Sequence, residues 1–156
     1  MSTPLHSRSP GRPPARAVAS PCTCLRLRKV ARRVSQIYDN CLEPHQLTIT
    51  QYGLLGHIKA LDGVGIGELA NALVMDPTTL TRNVRPLVKR ALVVLVPDPR
   101  DRRHRKLHLT DAGRELYGKA RGGWDAAQRQ IALALGAKDG PMLAATIDRL
   151  LEKLAT

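Results

Sequence analysis

Long apolar runs are missing from this 156-residue chain. No stretch of about eighteen consecutive apolar residues occurs, which excludes a membrane-spanning helix, so no membrane partner is expected. Cysteine is scarce: Cys22, Cys24 and Cys41 are too few, and odd in number, for the disulfide framework of a small secreted domain. The opening stretch MSTPLHSRSPGRPPARAVAS also lacks the apolar core of roughly seven residues that a secretory signal needs. A cytoplasmic location is therefore expected. Catalytic signatures are absent too. There is no GxGxxG, phosphate loop, HExxH or nucleophile elbow, and no suggestion of the paired acids of glycosidic chemistry. An enzyme reading rests only on Cys22 and Cys24 as a thiol oxidoreductase, without the C-x-x-C spacing of such a site. The same pair with Cys41 and scattered histidines makes a poor tetrahedral set. We expect no enzyme, no cofactor and no metal.

Acid is the other shortage, with 13 Asp and Glu against 25 Lys and Arg for a net charge of +12. Such a balance points to an anionic partner, nucleic acid or a membrane surface. The charge is unevenly placed: residues 77–110 alone carry +7, whereas 44–76 carry −2. A merely solubilising charge would be spread more evenly. The hydrophobic fraction of 43% suffices for one core. Residues 1–21, rich in proline and carrying Arg8, Arg12 and Arg16, read as a disordered basic arm, and 22–156 as a single domain.

Apolar or small residues at Leu27, Ala31, Val34, Tyr38 and Cys41 keep the three-four rhythm of a helix over about 22–43. A second helix is predicted from about Thr50 to Leu61, and a short third with Ile66, Leu69, Ala70 and Leu73 on one face. Asp76-Pro77 then marks the clearest helix start, an N-cap acceptor followed by a residue with no N–H to orphan. Leu80, Val84, Leu87, Val88 and Ala91 face inward, leaving Thr78, Thr79, Thr81, Arg82, Arg85 and Lys89 outward. Taken alone, this pair of helices reads more readily as an ordinary helical hairpin with a polar outer face. The next segment decides, because LVVLV (92–96) and KLHLT (106–110) can pair as a hairpin tipped by PDPRDRRHR. A helix-turn-helix followed by a basic-tipped hairpin is a winged helix, here spanning about 48–110. The recognition helix fits the major groove, and the tip residues Arg100, Arg102, Arg103 and Arg105 reach flanking backbone or the narrower minor groove. Asp98 and Asp101 suit the holding of a guanidinium, Asp101 that of Arg103.

Thr110 is read as the cap of a long helix through Leu116, Tyr117, Ala120, Trp124, Ala127, Ile131 and Ala134, interrupted at Gly122-Gly123 by a bend or a close helix approach. A last helix is predicted from about Pro141. The fold class is thus mostly α with a small β-hairpin wing: a winged helix-turn-helix core flanked by dimerisation helices at about 22–43 and 111–156. Apolar seams on those flanking helices argue for a homodimer, which would space two recognition helices about one DNA turn, or a multiple, apart. An intramolecular bundle is the alternative.

The stretches LTITQYGLLGHI, IGELANALVMDPTTLTRNVRPLVKRALV and DPRDRRHRKLHLTDAGREL resemble the MarR family of winged-helix transcription regulators, from about Cys24 to Thr156. The resemblance implies a triangular dimer on a near-palindromic double-stranded DNA operator, released by a small, often aromatic, carboxylate or by an oxidant. It matches Asp101 and Arg103 to the family's wing-tip pair, and Thr79, Thr81 and Arg82 to its recognition face. Three departures stand out. Ala91 replaces the glycine that usually closes the recognition helix, Pro86 lies inside that helix and is expected to bend it, and the basic arm has no counterpart. Cys24 falls at the reactive thiol of the peroxide-sensing branch and Tyr38 at one of its tyrosines, but Arg28 and Ile49 replace others.

The leading expectation is therefore a homodimeric, sequence-specific repressor with an effector site lined by Cys24, Arg28, Arg32, Tyr38, His57 and Tyr117. In the redox alternative Cys24, beside Arg26 and Arg28, is the sensing thiol and Cys22 or a partner-chain cysteine its resolver. A non-specific architectural DNA protein would explain the charge equally well, but not the outward face of Thr78 to Arg85.

Overall fold

The computed structural model describes residues 21–101 and 104–155. The expected arm lies outside these residues apart from Pro21, as do Arg102 and Arg103. In chain order come α1 (Thr23–Leu42), a 3-10 turn (Glu43–His45), α2 (Ile49–Leu61), β1 (Val64–Gly65), α3 (Ile66–Ala72), α4 (Pro77–Lys89), β2 (Val93–Pro97), β3 (Arg105–Leu109) and α5 (Asp111–Leu154).

Side-chain caps set the main helix starts. The Thr48 hydroxyl accepts from the Gln51 N–H at 3.2 Å while the Gln51 carboxamide accepts from the Thr48 N–H at 3.1 Å, a reciprocal box that opens α2. Asp76 accepts from the Thr79 N–H at 2.8 Å with Pro77 behind it, and Thr110 accepts from the Gly113 N–H at 3.0 Å. Helix ends are less regular. Past α3, Val74 has φ 51°, and past α4, Ala91 has φ 53°. Each sits in the left-handed conformation that favours glycine. In both, paired bonds tie the chain back: Met75 N–H to the Ala70 carbonyl and Val74 N–H to that of Asn71 in one, Leu92 to Leu87 and Ala91 to Val88 in the other. This is the physical reason a glycine is at home at position 91. Pro86 leaves α4 a single helix.

The hairpin pairs Val93 with Leu109, Leu95 with Leu107 and Pro97 with Arg105. A strand not foreseen from the sequence, β1, adds to its other edge through Val64 opposite Leu107, giving the order β1-β3-β2. Two residues carry no readable period, and their pairing is non-local. Leu55 and Ile58 of α2, Leu69 of α3, Leu80 and Leu87 of α4, and Val64, Val93 and Leu107 of the sheet are buried in one core.

α1 and α5 pack side by side. The expected interruption at Gly122-Gly123 does not occur: α5 runs through both and breaks instead at Gly136, with φ 79° and ψ 167°. Gly123 lies so close to the Cys41 carbonyl that a side chain there would collide with it, whereas Gly122 faces open space. Close approach, not a bend, is what the glycine serves. Pro141, predicted to open the last helix, lies inside it. Beyond the contact, Leu25, Leu27 and Val30 on α1 and Met142, Leu143, Ile147, Leu150, Leu151 and Leu154 on α5 are exposed. Among the described residues, nothing covers these aliphatic side chains.

Gly122→Ala is expected to raise stability by up to about 1 kcal/mol, and Gly123→Ala to lower it by about 1–3 kcal/mol through overpacking. Urea unfolding of the two variants checks this; similar midpoints would contradict the contact.

Candidate nucleic-acid interface

The buried stripe of Leu80, Val84 and Leu87 fixes how α4 is rotated, so the opposite side must face solvent. Thr78, Thr79, Thr81, Arg82 and Arg85 are all exposed there, and Pro77, Thr78, Thr81, Arg82 and Arg85 line one shallow concavity. The Thr81 hydroxyl donates to the Pro77 carbonyl at 2.8 Å, so toward a ligand it offers lone pairs. Asp76, the cap at this end, is held below the usual carboxylate range by the hydroxyl and N–H of Thr79.

Beside α4 stands the wing. Its loop is closed by the Asp98 N–H donating to the His104 carbonyl at 2.8 Å and the His104 N–H to that of Asp101 at 2.9 Å. The Asp98 carboxylate accepts from the Arg100 backbone N–H at 2.9 Å and lies 3.6 Å from Lys106. Expected to steady a guanidinium, Asp98 instead shapes the turn, because the nearest N–H two residues on lies within reach of its short side chain. Asp101 lies 3.7 Å from the His104 ring. Arg100 and Arg105 are exposed at the tip, while Arg102 and Arg103, the other tip candidates, fall outside the described residues. At the base, His108 lies 3.3 Å from Asp62 and its ring covers Gly63, whose φ of 89° and lack of a side chain both suit glycine.

A second concavity, of about 310 Å3, lies between α2 and α5. Its floor is aromatic: the Tyr52 ring stacks on Tyr117 at 4.7 Å and lies 6.4 Å from Trp124. Its rim is cationic, with the Arg121 guanidinium 4.9 Å over Trp124 and the Lys59 ammonium 5.2 Å over Tyr117. Arg121 is also paired with Asp125 at 3.0 Å. Burial and the hydrogen bond with Tyr117 push the Tyr52 hydroxyl up to about 12. The His57 Nδ1 donates to the Gly53 carbonyl at 2.8 Å, leaving its other nitrogen toward the groove.

Comparison with known proteins settles the family. The model of the MarR family matches residues 45–104. Among solved structures, the transcriptional regulator MosR of M. tuberculosis, in complex with DNA, superposes with a TM-score of 0.74 at 32% identity, covering 83% of this chain and 92% of that one. The chain belongs to the MarR family. The transcriptional repressor CouR, bound to a 23-mer DNA duplex, is similar at a TM-score of 0.77 and 25% identity, again over 83% of this chain and 92% of that one. Among curated proteins, the HTH-type regulator YhbI of Bacillus subtilis is 33% identical over 93 residues, 60% of each chain. The match spans between 49% and 60% of the length of the first curated relatives.

Against this MarR frame, the sequence-predicted residues divide. Of the six expected to form an effector site, His57 and Tyr117 line the α2–α5 groove. Cys24, Arg28 and Arg32 do not: they stand exposed on the first half of α1. Tyr38 is buried, its hydroxyl donating to Gln128 of α5. The reason is that the side chains of α1 that pack on the core, Val34, Ile37, Tyr38, Cys41 and Leu42, all lie in its second half, which leaves the first turns exposed. Tyr52, Arg121 and Trp124 were missed. The signal existed in the spacing of 117, 121 and 124 along one face of α5. Cys22 and Cys24 are exposed, and Cys41 accepts from the Gln130 carboxamide at 3.7 Å.

Because the Arg100 N–H stabilises the charged form, Asp98 is held below the ordinary aspartate range. Its contribution to the wing is therefore present above that range and lost as pH falls through the lower folded value. The amide resonance of Arg100 is expected to titrate with a midpoint below that of an unstructured aspartate, and not to titrate in Asp98→Ala. A midpoint at the ordinary value would contradict the bond.

Proposed function

We propose that this protein is a homodimeric, sequence-specific DNA-binding transcription regulator, a repressor, that reads a near-palindromic operator. The observation that carries this reading is the outward face of α4, where Thr78, Thr81, Arg82 and Arg85 share one exposed surface without an acidic residue. Hydroxyls and guanidinia at a helix N-terminus suit base edges and phosphates in the major groove. The wing residues Arg100 and Arg105, with Arg102 and Arg103 of the same loop, supply backbone or minor-groove contacts. The DNA complexes of MosR and CouR support the partner, and CouR supports the repressor role. The uncovered aliphatic side chains of α1 and distal α5 support a dimer, since a patch of that extent marks an interface.

The α2–α5 groove supports an effector of aromatic carboxylate type. Its size admits a single ring system, its floor stacks such a ring, and Arg121, Lys59 and His57 can hold an acid. Exposure of Cys24 and Cys22 supports the second reading, a thiol switch on α1. Titrating the DNA complex with peroxide and with small aromatic acids separates them. Release by acids that survives Cys24→Ser and fails in Arg121→Ala favours the groove; release by peroxide that fails in Cys24→Ser favours the thiol.

Selection of bound sequences from random DNA at stated salt tests the main reading. A paired, near-palindromic motif is expected, and a flat profile would make the protein a non-specific architectural binder. Arg82→Ala and Thr81→Ala should relax base preference, each lost good contact being worth about 1–3 kcal/mol of discrimination. Arg103→Ala should weaken binding strongly and leave melting unchanged, while loss of Arg8, Arg12 or Arg16 lowers affinity on all sequences and shallows its salt dependence.

A further inference from the structure

The segment that follows α4 is held from two sides. On one, the Thr110 hydroxyl donates to the Ala91 carbonyl at 2.7 Å and the Thr110 N–H to the Leu92 carbonyl at 3.1 Å. Since the same hydroxyl accepts from the Gly113 N–H, its one proton is committed to Ala91. Gly113 rests on the Leu92 carbonyl with no room for a side chain. On the other side, Arg90 Nη1 donates to the Gln46 carbonyl at 2.6 Å. Gln46, with φ 54°, ends the 3-10 turn that continues α1, and its own N–H returns to the Glu43 carbonyl at 2.8 Å. One anchor thus belongs to α5 and the other to the end of α1.

Those two helices form one frame, joined at Gly123 against Cys41 and at Tyr38 with Gln128. The C-terminal end of α4 is therefore fixed to the frame, and its N-terminal end carries Thr78, Thr81 and Arg82. A helix of this length is a lever of about 20 Å, and a tilt of about 10° moves its far end by about 3 Å, close to one base-pair step.

We propose that Thr110 and Arg90 are positioning residues: they set the angle at which α4 is presented and thereby the separation of half-sites that the dimer reads. The proposal rests on the dimeric DNA-binding reading above. It differs from direct contact in what each change does. Were Arg90 a phosphate ligand, its loss would weaken binding to every site alike, shallow the salt dependence by about one ion and leave the preferred spacing untouched. Thr110 carries no charge and belongs to the start of α5, so its loss has no such electrostatic effect.

The test uses the full chain and duplexes in which the half-sites selected by the wild type are separated by spacers stepped one base pair at a time. Binding of wild type, Thr110→Val, Thr110→Ser and Arg90→Ala is measured alongside melting. In Thr110→Val and Arg90→Ala the preference for the best spacer over its neighbours is expected to fall by roughly fivefold, the change that one net hydrogen bond corresponds to. Base preference within each half-site stays as in the wild type, and Thr110→Ser, which keeps the hydroxyl, restores the spacing profile. Arg90 is exposed, so Arg90→Ala keeps the test open should Thr110→Val fail to fold. An unchanged spacing profile in the folded variants, or a uniform loss with a shallower salt slope in Arg90→Ala, overturns the proposal alone. Selection of unpaired sites by the wild type overturns the dimer reading and the proposal with it.

Discussion

The architecture depends on one helix lying directly on backbone at two places. α5 meets the Leu92 carbonyl at Gly113 and the Cys41 carbonyl at Gly123, and in each a methyl group would have to displace a peptide oxygen. The first contact fixes the reading head to α5, and the second fixes α1 to it. Both lie within the first four turns, where α5 buries Ala120 as well, and Ala127 is buried one turn further on. Small residues let the helix come close; large ones pack only from its flanks, as Tyr117 and Trp124 do against Tyr52. The end of α4 is tied to the same frame by the bonds from Thr110 and Arg90, while its buried stripe sets its rotation on the core.

That arrangement also separates the molecule's two kinds of surface. The outward face of α4 and the tip of the wing carry exposed hydroxyls and cations, set in place by the Asp76 cap and the Asp98 turn. On the first half of α1 and the far half of α5, charged side chains alternate with exposed aliphatic ones that nothing among the described residues covers. The α2–α5 groove lies between them, touching the helix that feeds the reading head and the helix that carries the uncovered face. A ligand of the kind proposed for this groove would contact α2 and α5 at once.

The fold was legible where a local rule fixes geometry. Asp76-Pro77 announced α4 because a cap and a proline at the first turn act within four residues, and the alternation of KLHLT announced β3 because period two is local. The outward placement of Thr78, Thr81 and Arg82 followed from the buried stripe beside them. What was not legible depended on contacts distant in sequence. β1 exists because Val64 finds Leu107, and of the two outcomes expected at Gly122-Gly123, a bend or a close approach, the choice was made by a carbonyl of α1 rather than by propensity. The groove shows the same limit: Tyr117 and His57 were selected for their chemistry, but only packing brings Tyr52, Arg121 and Trp124 to them while leaving Cys24, Arg28 and Arg32 on the open part of α1.

The central claim is that DNA is bound by the outer face of α4 and the wing, not by the basic outer face of α1 with Arg28, Arg32 and Arg33. Hydrogen–deuterium exchange of the full chain with and without its selected duplex tests this most directly. The account predicts new protection in the first turns of α4 and in the loop between β2 and β3, with the first half of α1 unchanged. Protection confined to α1, with α4 and the wing exchanging as in the free protein, would contradict it.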